Sequence, residues 1–481
     1  MITRRRTDGR KSKECADCSQ CVKSSAIEVL RSRRPRSVIG GVGPGTPPER
    51  RLIGAGGWGR MLKRHRGHKA RLCLTPSQAA AAEGQGHAAR ALWNLVHDWW
   101  TMVAKERRSL AAADAAIRQG RKDLPWLADL PAQAAQAVLK AYLQAWRHCW
   151  EGRTRAPVFK GRFRSRMATD VPQGRDLQIV RLNRRWGRMW APKIGHVLFR
   201  WTRDLPVGRR ADRSNRVSGA RLVKEADGWY VVFRVQSEVP EPTAHPGPSV
   251  GIDRGIAKPL ALSDGTFREH GPWLTEGETK RLRRLEKARE RRRRTREPEV
   301  GDSRRLTRTY DQIAQLRATA KRRAVDWQHK TTTRIAETFS RIGVEDLTIP
   351  SMVRSARGSV EVPGTRVRQK AGLNRAITAE AWGRTVTMLE YKAAERGGIV
   401  VKVPAPNTSR RCSACGCVTS GSRETQARFV CKNPGCGFEA NADTNAGRNI
   451  DHAAGQAVSG RGDLGDARSV KRQPPTGPHA V

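Results

Sequence analysis

A chain of 481 residues with 93 basic and 45 acidic side chains, a formal net charge of +48, calls for a polyanionic partner. Its length exceeds what one hydrophobic core usually supports, so about two or three domains are expected. No apolar run approaches the roughly 18 residues of a membrane span, and the basic N-terminus lacks the apolar centre of a signal peptide, which points to a cytoplasmic, nucleoid-associated protein that binds nucleic acid and no membrane.

Residues 1–60 are rich in Arg, Gly, Ser and Pro without sustained periodicity, and read as a disordered basic extension that the protein can spare. Cys15, Cys18 and Cys21 offer three thiols there with no obvious fourth, which disfavours a zinc site. Residues 68–74 alternate as a strand. Thr75-Pro76-Ser77-Gln78 then opens a helix, with proline where a missing N–H costs nothing. Helical patterns cover 76–118 and 131–150. Trp93, Val96 and Trp100 share one face of the first, and Val138, Tyr142, Ala145 and Cys149 one face of the second; core packing explains them better than base stacking. Short strands follow at 177–182, 188–190, 197–201, 219–225 and 229–235. They suggest a small β-barrel over 61–75 and 155–240, carrying residues 76–154 as an inserted helical bundle.

Pro240 to Pro248 reads as a linker. Beyond it, Ser249-Val250-Gly251-Ile252-Asp253 is an apolar run ending in an acid, and strands at 258–263 and 266–270 flank a turn at Asp264-Gly265. A basic helical stretch spans 276–340, a buried strand 342–347, a helix 373–396 and a strand 399–403. The order β-β-β-α-β-α-β-α is that of an RNase H-like fold, within an α+β multidomain chain. Asp253 and Glu345 both sit in apolar strands, where a charge is costly unless it faces a site. Asp443 stands at a helix start, where the helix dipole alone would favour an acid. Three convergent carboxylates can hold two Mg²⁺ ions for phosphodiester cleavage, so Asp253, Glu345 and Asp443 are the candidate catalytic and magnesium-binding residues. Asp346 and Asp264 read as bland, the first facing away from Glu345 and the second making a turn.

Between Glu345 and Asp443 lie two cysteine knuckles, Cys412-x2-Cys415-Gly416 and Cys431-x4-Cys436-Gly437. Four thiolates suit one tetrahedral structural Zn²⁺, with Cys417 a spare that could compete with Cys415. A closed four-cysteine site leaves no open position for chemistry. The ribbon is placed at 406–440 and the last helix at 441–456; residues 457–481 read as a disordered tail, and 249–405 as the nuclease core.

These stretches resemble the transposon-encoded TnpB nucleases and the compact type V CRISPR effectors. The likeness is carried by Val250-Gly251-Ile252-Asp253-Arg254-Gly255-Ile256, Val344-Glu345-Asp346-Leu347 and Gly372-Leu373-Asn374-Arg375-Ala376-Ile377, and by Leu389-Glu390-Tyr391-Lys392-Ala393. It continues in Thr408-Ser409-Arg410-Arg411-Cys412-Ser413-Ala414-Cys415-Gly416 and Asn441-Ala442-Asp443-Thr444-Asn445-Ala446, and spans about 61 to 455. The resemblance implies a wedge-like barrel with a recognition bundle, a RuvC domain and a zinc ribbon. It implies a guide RNA that pairs with target double-stranded DNA, with the acids at Asp253, Glu345 and Asp443. The longer second knuckle and Gly447, where the family often has alanine, depart from the pattern without touching the acids. Residues 281–296, nine Arg and one Lys against two Glu, are expected to meet the phosphates of the guide–target duplex. The competing classes are an RNA-guided binder that represses without cutting, and a DNA-strand transferase. Three intact acids disfavour the first, and the chain shows no dedicated nucleophile for the second.

Overall fold

The computed structural model describes residues 60–104, 108–161, 165–208, 211–295 and 301–459. The readings for 1–59, Cys15, Cys18 and Cys21 among them, and for 460–481 therefore lie outside the described residues. The described chain divides into two compact units, one built from 64–224 and 228–237, the other from 60–63, 225–227 and 238–459.

The first unit combines a sheet with a helical bundle. Its strands are β1 (Met61–Cys73), β2 (Ala168–Val171), β3 (Val180–Arg181), β4 (Trp186–Ala191), β5 (Gly195–Arg200), β6 (Asn215–Glu225) and β7 (Gly228–Pro240). They pair in the order β2-β6-β7-β1-β5-β4-β3. Period-two alternation buries Leu72, Met189, Val197, Phe199, Leu222, Val231 and Phe233 as one core. Helix α1 (Pro76–Met102) begins as the sequence predicts, with Thr75 and Gln78 forming a capping box. The expected helix over 76–118 is two helices, because α1 stops at Met102 and Ser109 caps α2 (Leu110–Asp123). With the one-turn α3 (Pro125–Ala128) and α4 (Ala132–Trp150), they enclose Leu92, Trp93, Trp100, Leu130, Leu139 and Tyr142. Trp93 meets Tyr142 edge-on at 5.2 Å, so the tryptophan face expected to be core is core. The strand expected at 177–182 is instead a 3-10 turn, Gly174–Leu177, followed by the two-residue β3. Strand β2, in a stretch without alternation, had no sequence signal.

The second unit holds β8 (Ser249–Asp253), β9 (Leu260–Leu262), β10 (Phe267–Arg268), β11 (Arg341–Glu345) and β12 (Ile399–Val403) in the order β10-β9-β8-β11-β12. Strands β8, β11 and β12 are parallel, and β9 and β10 are antiparallel. Val250, Ile252, Ile342 and Val344 pack against Ile335, Val386 and Leu389 from the helices. The basic stretch is a pair of helices, α5 (Glu276–Arg294) and α6 (Arg304–Thr338), rather than one, and Ser303 caps the second. The one-turn α7 (Ile349–Met352) follows β11. The helix expected at 373–396 begins earlier and is broken: α8 (Val367–Glu380) meets α9 (Trp382–Ala394) at Ala381, whose φ of 49° is left-handed. Strands β13 (Arg428–Val430) and β14 (Glu439–Asn441) form a small hairpin before α10 (Ala442–Ser459).

Two glycines let α10 lie almost on the sheet. A Cβ on Gly251 would stand 2.0 Å from the Gly447 carbonyl oxygen, and one on Gly343 would stand 3.0 Å from that of Ile450. Gly447 shares the crowding, since a Cβ there would come within 3.0 Å of the Ser263 nitrogen. This close seat brings the first turn of α10 to the ends of the strands. Among the described residues no helix is long and apolar enough to cross a membrane.

Candidate active site and metal centre

Asp253 is the last residue of β8 and Glu345 the last of β11. The strands run parallel with Ile252 opposite Val344, so the two acids leave the same end of the sheet side by side. Asp443 is the second residue of α10. Asn441 Oδ1 accepts from the backbone N–H groups of Asp443 at 2.9 Å and Thr444 at 3.2 Å, which caps the helix start. Strand ends and helix N-terminus thus bring the three predicted acids together. Burial first, then the negative charges of Glu345 and Asp443, push the Asp253 carboxyl up to about 7.

Positive charge offsets this only in part. Arg423 Nη2 donates to Asp443 Oδ1 at 3.1 Å. The buried Arg254 donates through Nη2 to the Glu345 carbonyl oxygen at 2.5 Å, which holds the backbone rather than the carboxylate. Hard carboxylate oxygens in excess over their cationic neighbours are the donor set a divalent cation requires, and the residues present fit such an ion. Asp264 makes its turn, accepting from Thr266 N at 2.8 Å. Asp346 lines an open cavity of about 520 Å³ beside the strand ends, together with Lys402 and Pro404.

The four predicted cysteines converge, all their sulfurs lying within 4.8 Å of one another. Among the described residues they are the one group of three or more His, Cys, Asp or Glu ligand atoms gathered so closely; the three carboxylates are more widely spread. Cys412 Sγ is 3.8 Å from Cys436 Sγ, and Cys415 Sγ is 3.7 Å from Cys431 Sγ. A tetrahedral ion with metal–sulfur bonds of about 2.3 Å would space its sulfurs by about 3.8 Å, so the cage fits. The longer second knuckle closes through a turn in which Cys436 N donates to the Asn433 carbonyl at 3.1 Å and Gly435 takes a φ of +83°. Cys417 contributes backbone rather than a ligand: its carbonyl accepts from Cys412 N at 2.9 Å, and its sulfur lies outside the cluster. The Cys417 N–H, with help from the other thiols, pulls Cys415 down to about 6. Phe429, fully buried, packs beside Cys412, Cys431 and Ala442, and joins the cage to the start of α10.

Residues 232–356 match the family model "Probable transposase" (OrfB_IS605), and residues 382–450 match "Cas12f1-like, TNB domain". The Escherichia coli K12 protein "Putative RNA-guided DNA endonuclease InsQ" is 34% identical over 352 residues, covering 73% of this chain and 81% of that protein. The chain belongs to the TnpB-like family of RNA-guided DNA endonucleases. A second relative, "Putative RNA-guided DNA endonuclease" of Streptomyces pristinaespiralis, is 27% identical over 84% of this chain and 92% of its own length. A CRISPR-associated endodeoxyribonuclease Cas12f1 of Sulfoacidibacillus thermotolerans is 55% identical over 60 residues, which is 12% of this chain and 14% of that protein.

In this TnpB-like chain, the contacts of several residues around the acids could not be read from the sequence, although Arg254, Thr408 and Asn445 lie in stretches that carry the family resemblance. Arg423 lies between the knuckles in a stretch whose pattern does not mark it. Arg254 follows Asp253 directly, and its burial could not be read from one more arginine in so basic a chain. Thr408 Oγ1 donates to Glu345 Oε1 at 2.5 Å, a contact spanning 63 positions. Asn445 and Asn449, on α10, reach back to the segment entering the first knuckle.

Proposed function

We propose that the chain hydrolyses phosphodiester bonds of double-stranded DNA selected by a bound guide RNA, using Asp253, Glu345 and Asp443 as its catalytic carboxylates. The observation that carries this is the meeting of three acids from two parallel strand ends and a capped helix start, where burial and then the charges of Glu345 and Asp443 raise Asp253 to about 7. The five-stranded sheet with α10 against it suits an RNase H-like, RuvC-type core over 249–405 completed by the last helix. The first unit suits a barrel-like sheet, 61–75 with 155–240, carrying the recognition bundle of 76–154, and the cysteine cage suits a zinc ribbon over 406–440.

Asp253, Glu345 and Asp443 would hold two Mg²⁺ ions, which when bound activate the attacking water and neutralise the leaving oxygen. Zn²⁺ on Cys412, Cys415, Cys431 and Cys436 would be structural, fixing the ribbon against α10. Arg423 anchors Asp443 and brings a cation to where a phosphate would approach. Arg281, Arg283, Arg284 and Arg291 stand exposed on α5, a helix with no buried residue, and suit the backbone of a guide–target duplex. Base pairing would supply the sequence specificity, and the chain would read duplex shape and a short flanking motif.

The test pairs the protein with the RNA that copurifies with it and offers a matched duplex in Mg²⁺. The wild type is expected to leave cut ends bearing 5′-phosphates, while Asp253→Ala binds the same target within about 3-fold and leaves it intact. Cleavage by Asp253→Ala would refute the site, and a joined product would point to strand transfer.

A further inference from the structure

We infer that Thr408 is a positioning residue, whose hydroxyl fixes the Glu345 carboxylate and ties its orientation to the seat of the cysteine cage. The inference rests on the nuclease reading above. Thr408 is 8% exposed, and its Oγ1 lies 2.5 Å from Glu345 Oε1 and 3.0 Å from the Ala405 carbonyl oxygen. A hydroxyl has one proton, and an ionised carboxylate is the stronger acceptor, so the short contact takes it. The β-branch of threonine restricts its first side-chain torsion, which keeps the hydroxyl aimed.

Thr408 is itself held through its backbone by α10. Its carbonyl accepts from Asn449 Nδ2 at 2.9 Å, and the same amide donates to the Arg411 carbonyl at 2.7 Å. Asn445 donates to the Arg411 carbonyl at 2.8 Å and accepts from Ser413 N at 2.9 Å. Both amides are buried. The helix that starts at Asp443 therefore clamps residues 408–413, the lead into the first knuckle, and that segment returns one hydroxyl to Glu345. Glu345 ends a strand, and its backbone is fixed by Arg254; without Thr408 its carboxylate keeps the freedom of a long side chain. Groups that orient a metal-binding carboxylate typically cost 10–100-fold in metal affinity or activity when removed.

The experiment compares wild type, Asp253→Ala, Thr408→Val and Thr408→Ser, each full-length. Valine keeps the branched shape and removes the hydroxyl, and serine does the reverse. Single-turnover cleavage of matched DNA is measured on the RNA complex, and Mn²⁺ binding to the RNA-free protein is followed by electron paramagnetic resonance. Thr408→Val is expected to cleave about 10–100-fold more slowly and to bind Mn²⁺ about ten-fold more weakly, with zinc content and target binding unchanged. Thr408→Ser should stay within about 3-fold of wild type, since the carboxylate keeps its donor. Thr408→Val matching wild type in both measurements would overturn the inference. So would Thr408→Ser failing as badly as valine, or Thr408→Val losing zinc or target binding, because each assigns the residue to packing. Failure of the nuclease reading is separate: it appears as a wild type that does not cut, or an Asp253→Ala that does.

Discussion

Replacing Asp253 by asparagine should stabilise the magnesium-free protein, although it removes a proposed catalytic group. The folded state holds this carboxyl at about 7, against an ordinary value of 3.8, through burial and the charges of Glu345 and Asp443. The folded state therefore binds the proton more tightly than the unfolded chain, and stability declines as pH rises from about 4 to about 7. Above that window the full cost of the ionised acid is present. Three pKa units at 1.36 kcal/mol each set it at about 4 kcal/mol, and relaxation of the site brings the expectation to about 2–4 kcal/mol. The neutral amide of asparagine escapes this cost. The assay is denaturant unfolding of the full-length, RNA-free protein in magnesium-depleted buffer, without chelator so that the cysteine cage keeps its metal. At pH 8 Asp253→Asn should be the more stable by that margin; at pH 5 the gain should fall below about 2 kcal/mol, because the wild-type carboxyl is then protonated in the folded state. Millimolar Mg²⁺ should narrow the gap at pH 8 by stabilising the wild type alone. A gain absent at pH 8, or equal at both pH values, would refute the crowding of the three acids.

Two further expectations come from the packing. Cys412→Ser should lose about one zinc per chain by atomic absorption and lower the unfolding temperature, because Cys412 is both a cage sulfur and part of the small core around Phe429; unchanged metal content would exclude the cage. Gly251→Ala should destabilise the second unit by more than about 2 kcal/mol and abolish cleavage, because its Cβ would meet the Gly447 carbonyl oxygen at 2.0 Å and lift α10, with Asp443, off the strand ends. Near-native unfolding of that variant would show that α10 has room to move.

Most of the candidate site residues were legible because they broke a local rule; Asp443, an acid at a helix start, broke none and was marked by its place after the others. Asp253 and Glu345 are charges in apolar strands, and the cysteines come in knuckles followed by glycines whose positive φ the turns require. The element boundaries were less legible. The stretch 276–340 read as continuous because basic, helix-favouring residues dominate it, although Pro298 and Gly301 lie between its two helices; in 373–396 the break at Ala381 puts a left-handed backbone on a residue that rarely adopts one. The extension of β1 back to Met61 was missed because its alternating residues are mostly charged.

The sequence by itself determined which residues could hold metal and in what order they come: strand acid, strand acid, four cysteines, helix acid. Burial, periodicity and ligand spacing are local properties, written in runs of a few residues. Only the tertiary structure decided that Arg423 grips Asp443, that Thr408 grips Glu345, and that Asn445 and Asn449 hold the entry to the cage. These contacts join positions 20 to 63 residues apart. No local pattern says what a threonine, an arginine and two asparagines will touch until α10, admitted by Gly251 and Gly343, lies close enough to the sheet to bring them together.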